Sequence, residues 1–207
     1  MIEFLIRRRL LSHSKDAMDA IVIDPDHHNC PPKLRDAAVK LAFRKYWAIG
    51  NLGILEKDIF GILCSRKCPG EIILRAYDLA VALRERGVSV VGGFHTPMEK
   101  EILDLLLKGQ QPIVICPARG IAGMRIPSSW KRSLSEGRLL ILSPFPPQHD
   151  RQTIELADRR NRLLAHITDT LLIIHAEPGS QTEKLCRDLI QSGKKLLTLD
   201  CLKRSCS

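Results

Sequence analysis

Between an apolar run, Leu171–Ile174, and an amphipathic segment that begins near Ser180 lie Ala176-Glu177-Pro178-Gly179-Ser180-Gln181-Thr182-Glu183. A strand that empties into a glycine turn and then a helix N-terminus is an anion site in waiting. Backbone N–H groups point outward there and the helix dipole favours negative charge. Ser180 with Glu183 also spells an S-x-x-E capping box, which needs no ligand. A second strand-to-turn junction stands at Cys64-Ser65-Arg66, and Arg160-Asn161-Arg162 precedes the Leu171 run. Arginine presents a planar, always-charged fork to phosphate oxygens, and glycine lets the backbone come close.

The residues that would run a reaction are missing. No G-x-S-x-G elbow, P-loop lysine pattern or G-x-G-x-x-G occurs, so a nucleophilic hydrolase, an NTPase and a dinucleotide dehydrogenase all lack their working parts. Ser65 has no base nearby in sequence. His95 and His175 stand at strand ends, where hydrogen-bonded structure is the commoner role. Cys64 and Cys68, even with those histidines, form a C-x3-C without a second pair. The seven cysteines are scattered and odd in number, as expected of reduced, mostly buried thiols. The expectation is a binding protein without catalytic residues, metal or cofactor.

Charge says what is bound. The 207 residues carry a formal net charge of +9. The excess is concentrated: Arg119, Arg125, Lys131, Arg132 and Arg138 face only Glu136 between 119 and 138, and Arg151, Arg159, Arg160 and Arg162 follow. Such a stripe is the electrostatic footprint of a phosphate-rich partner. Aromatic residues make up only 4%, which leaves Trp130, Phe94 and Phe145 as candidate stacking platforms near it. No apolar run approaches the roughly 20 residues that span a bilayer. The opening MIEFLIRRRLL places its arginines after a short apolar patch, the reverse of a secretory signal. A cytoplasmic location is expected.

The elements that position these residues alternate. Ile59–Leu63, Val88–Val91, Pro112–Cys116, Leu139–Leu142, Leu171–Ile174 and Lys195–Leu199 are apolar strands without polar alternation. Glu71–Arg86 has helical periodicity, and Thr96-Pro97-Met98-Glu99 opens a helix that runs to Lys108. Continuous apolar strands separated by helices predict an α/β, Rossmann-like, doubly wound, mainly parallel sheet with helices on both faces. Ligands of such sheets gather at the strand carboxyl ends, so the turns after Leu63, Val91 (Gly92-Gly93), Cys116 and Ile174 should converge. Residues 1–58 are turn-rich and read as an N-terminal extension packed on the core, with the Rossmann-like domain over 59–207.

In order along the chain stand Cys30-Pro31-Pro32-Lys33-Leu34, Gly50-Asn51, the Ile59–Arg66 strand and turn, Leu142-Ser143-Pro144-Phe145-Pro146-Pro147, Arg160-Asn161-Arg162-Leu163-Leu164-Ala165 and Ile173–Thr182. This series resembles the DNA-processing protein A (DprA/Smf) family over roughly residues 30–200. The resemblance implies single-stranded DNA binding, usually as a homodimer, and loading of a RecA-type recombinase in DNA uptake and transformation. By matched position it implies phosphate contacts from Ser65, Arg66, Arg160, Asn161 and Arg162, and donors from Gly179, Ser180 and Thr182. Gly92, Gly93 and Arg119 join that set from the converging turns and the basic stripe. The chain departs from the family at Cys64, where a glycine is usual, and at Gly92–Glu99, which replaces S-G-L-A-x-G-I-D; it reads as a short, divergent member.

Two other readings stay open. Pro178-Gly179-Ser180-Gln181-Thr182 looks like a compressed form of the P-G-G-x-G-T-x-x-E turn of the phosphoribohydrolases, although Leu185 stands where their glutamate falls. A nucleotide-ligand sensor or nucleotide-processing enzyme could use the same turns. A structural paralogue with a vestigial pocket is the third, with Cys64 as its hint.

Overall fold

The computed structural model describes residues 19–199. Its elements run β1 (Ile21–Ile23), α1 (Pro32–Leu41), β2 (Tyr46–Gly50), β3 (Phe60–Cys64), α2 (Gly70–Glu85), β4 (Val90–Gly92), α3 (Pro97–Leu107), β5 (Ile113–Ile115), α4 (Ser128–Ser135), β6 (Leu139–Ser143), α5 (Ile154–Ile167), β7 (Thr170–His175), α6 (Gln181–Gln191) and β8 (Leu196–Thr198). One sheet takes all the strands in the order β1-β2-β6-β5-β4-β3-β7-β8. The six strands β3 to β8 are mutually parallel, as their unbroken apolar composition predicts.

Both faces are covered. Buried side chains of α2 and α3, including Ala76, Ala80, Met98, Ile102 and Leu106, pack with Leu139 and Ile141 of β6. On the opposite face, Leu34 and Ala37 of α1 and Leu163 and Leu164 of α5 pack with Leu140 and Leu142. The alternation along β6 divides its residues between the two layers. The fold is therefore the expected doubly wound α/β sandwich.

Of the turn-rich stretch before residue 58, positions 1–18 lie outside the described residues, and the remainder supplies β1, α1 and β2. Both strands join the sheet antiparallel, Trp47 opposite Ser143 and Ile21 opposite Ala48. Tyr46, with no exposed surface, donates its hydroxyl to Leu34 O at 2.9 Å and so locks β2 to α1. The segment thus enters the sheet itself and shares its core. The first turn of α3 forms as its sequence predicts: Thr96 Oγ1 accepts from Glu99 N at 3.3 Å, and the Glu99 carboxylate reaches back to Thr96 N at 3.4 Å.

Candidate nucleic-acid interface

β3 hands the chain on to β4 on one side, whereas its other neighbour β7 hands on to β8 on the opposite side. The turns after β3 and β7 therefore part at a topological switch point, where open α/β sheets place their ligands. Ser65 holds these turns together. Its N–H donates to His175 O at 2.9 Å, its Oγ accepts from Glu177 N at 2.9 Å, and it shares a hydrogen bond with Ser180 Oγ at 3.1 Å. Ser65 is buried accordingly. Ser180 caps α6 by accepting from Glu183 N, and the Glu183 carboxylate accepts the Gly179 N–H at 2.8 Å. Gly179 takes φ +76°, which glycine adopts without strain. The donors at this helix start are therefore partly answered from within the chain. Thr182 lies in the first turn of α6, and Arg66 is exposed beside the junction.

A buried acid and a buried base organise the next turns. Glu99, 2% exposed, accepts from Cys64 N at 3.0 Å and from His95 N at 2.9 Å, so one carboxylate ties the end of β3 to the turn after β4. Glu99 stands where the family pattern ends in Asp, one methylene longer. Arg160 of α5, 4% exposed, donates Nη1–H to Cys116 O at the end of β5 at 2.8 Å. Its Nε finds no partner among the described residues. Burial lowers the Arg160 pKa, with the Glu99 charge opposing. Gly92 abuts the Phe94 ring, and the guanidinium of Arg160 lies over Gly93. Phe94 takes φ +48°, a left-handed conformation that costs an L-residue about 1–2 kcal/mol.

Above this frame opens a cleft of about 500 Å³, walled by Phe94 and Trp130 and lined by His95, Lys100, Arg119 and Arg151. Lys100 comes from α3, Arg119 from the turn after β5 and Arg151 from the lead-in to α5. Asp150 is the single acid among the described residues that line it. Ser143 Oγ donates to Arg119 O at 2.6 Å, which fixes the backbone of that turn. His95 is held below the ordinary histidine pKa, first by partial desolvation at the cleft wall, then by the charges of Arg160 and Lys100, with Glu99 opposing and Arg66 adding to the lowering. Arg66 thus belongs to the same positive field. Three cations from three elements thus stand around one cleft, with the partly buried Trp130 beside them.

The expected site residues separate into groups. Ser65, Gly92, Gly93, Arg160, Gly179 and Ser180 build the frame, while Arg66 and Arg119 present charge. Arg162 stands apart: its Nε donates to Asp158 at 2.9 Å and its Nη2 to Asp188 at 2.7 Å, clamping α5 to α6. Those two carboxylates, Asp188 foremost, raise its pKa. Asn161 Oδ1 is buried without a partner among the described residues. Lys100 was not legible as a site residue, because only the fold brings that face of α3 to the cleft. Cys64 and Cys68 touch, and burial pushes the Cys64 thiol far above its usual range. Cys116 is pushed up to about 12, again by burial. Among the described residues no three His, Cys, Asp or Glu side chains are grouped to hold a metal, and no helix is long and apolar enough to cross a membrane.

Comparison with solved structures supports the fold. DNA processing protein A (DprA) from Streptococcus pneumoniae superposes with a TM-score of 0.70 at 17% identity, over 89% of this chain and 64% of that one. The chain thus spans less than two thirds of that protein's length. DNA processing protein A from Helicobacter pylori, whose single-stranded DNA binding mode was the subject of its structure, gives a TM-score of 0.65 at 16% identity, over 85% of this chain and 82% of that one. No curated protein sequence matches the chain. The sequence model for DNA recombination-mediator protein A matches residues 21–201, from β1 to beyond β8, and the chain belongs to that family.

Proposed function

We propose that this protein captures single-stranded DNA by its phosphates in the cleft over β4 and β5, as one step of recombination mediation. The observation that carries the reading is the convergence of Lys100, Arg119 and Arg151 on one aromatic-walled cleft at the strand carboxyl ends, with Arg66 at its margin. The single-stranded DNA binding of the Helicobacter pylori protein, which shares the fold, supports it. Transfer of the strand to a RecA-type recombinase during DNA uptake, action as a homodimer and a cytoplasmic location extend the reading from the family resemblance.

The test is a salt titration of a labelled oligothymidylate against a duplex of equal length. Single-strand preference that survives about 0.15 M salt is expected. Arg119→Ala and Lys100→Ala should each flatten the salt dependence by about 0.7 in log–log slope. Unchanged affinity and slope in both variants would remove the cleft from the reading. Weak, unselective binding together with thermal stabilisation by a mononucleotide would replace the strand by a nucleotide.

A further inference from the structure

A second cleft, about 430 Å³, lies on the other side of the loop between β6 and α5, and its described lining residues include no acid. Arg44 and Lys45 approach it from the turn between α1 and β2, Arg159 from α5 and His149 from the loop, with Trp47 of β2 as a partly buried wall. None of Arg44, Lys45 and Arg159 has a carboxylate partner among the described residues. Arg159 is the informative one. Its Cζ sits 5.0 Å from the Phe43 ring centre and 5.9 Å from that of Phe145. Those rings meet edge to face at 84°, and both are buried. They hold one side of an exposed guanidinium and leave its outer side to solvent. A planar cation fixed in this way is a platform for a base as well as a partner for a phosphate.

The two clefts share an edge of the sheet. Trp47 pairs with Ser143, so the start of β2 lies beside the carboxyl end of β6. The intervening loop turns Arg151 toward the first cleft and Phe145 and His149 toward the second. It is pinned between them: Gly120 N donates to His149 O at 2.7 Å. We infer that a single-stranded nucleic acid leaving the first cleft crosses this loop and continues over Arg159, Arg44 and Lys45, so that the second cleft is a further subsite for its nucleotides. This rests on the function proposed above. Adjacency to the first cleft, and an exposed guanidinium held against two rings with no carboxylate partner among the described residues, favour a nucleic-acid strand over an acidic protein surface.

The test compares oligothymidylates of about 4 to 16 nucleotides on the wild-type chain, on Arg44→Glu/Lys45→Glu and on Arg159→Lys, each verified as folded by its thermal transition. Short oligomers that fill the first cleft should bind all three alike. Longer ones should bind the double variant more weakly, with a salt slope shallower by about 1.4, since two phosphate contacts at about 0.7 each are removed. Arg159→Lys keeps the charge and loses the plane, so it should weaken long oligomers without changing the slope. Identical length dependence and slope in wild type and variants would overturn the second subsite and leave the first cleft standing. Absence of binding at every length by the wild-type chain would overturn both.

Discussion

Arg160 occupies the volume that a side chain on Gly93 would need: a Cβ built there falls within the guanidinium. The glycine in the turn after β4 thus makes room for a side chain of α5, about 70 residues later, to cross under the cleft and reach Cys116 O at the end of β5. Together with Glu99, which reaches Cys64 N and His95 N, it freezes the turns that carry His95 and Arg119. Gly93→Ala should therefore destabilise the protein by about 1–3 kcal/mol, the range of an overpacked core, read as a shift in the urea midpoint. Combined with Arg160→Ala, which vacates the space, the two penalties should be less than additive. Additive penalties would show that the backbone accommodates the methyl group independently of Arg160.

Arg66 and Arg162 were expected in the same role, and the structure gives them different surroundings. Arg162 is neutralised by Asp158 and Asp188, whereas Arg66 is exposed within the field of the cleft. Arg66→Ala should weaken single-strand binding and flatten its salt slope by about 0.7. Arg162→Ala should lower the melting temperature slightly and leave the slope unchanged. A flattened slope for Arg162→Ala would mean that its carboxylates release it when DNA arrives.

The six parallel strands were legible because burial on both faces removes polar alternation. The start of α3 was legible because capping is local. β1 and β2 were not, since three and five residues amid turns leave no periodicity to read. Glu99 shows the limit well: its capping box spans three residues, but its bond to Cys64 N spans 35, and no local pattern encodes that. The position of Arg162 had a local signal in Asp158, four residues before it on the same helix face. Which arginines meet solvent and which sit beneath the cleft depends on the packing of α5, which composition does not reveal.

Ala42 ends α1 in the left-handed region at φ +54° and is exposed. Glycine takes this conformation without the clash that burdens an L-residue. Ala42→Gly should stabilise the protein by about 1 kcal/mol, seen as a higher urea midpoint with an unchanged slope. A lower midpoint would show that the methyl group contributes more to packing beside Phe43 than the backbone strain costs.

His95 is the group through which acidity should reach binding. Partial desolvation depresses its pKa, and Arg160, Lys100 and Arg66 reinforce this against the opposing Glu99. In the free protein it is therefore neutral at pH 7. A phosphate entering the cleft offsets those positive charges and favours the imidazolium, which raises the pKa and draws in a proton. Binding should then tighten as pH falls from about 7 toward 5, a window that starts just above the ordinary histidine value of about 6.5. Folding responds with the opposite sign. A depressed folded-state pKa means that the unfolded chain binds the proton first, so His95 lowers stability as pH drops below about 6.5. His95→Gln should flatten the pH dependence of oligothymidylate affinity and soften the acid loss of stability. Anisotropy titrations across this range decide it: equal pH slopes in wild type and variant would place the bound strand away from His95 and toward Arg119 and Arg151.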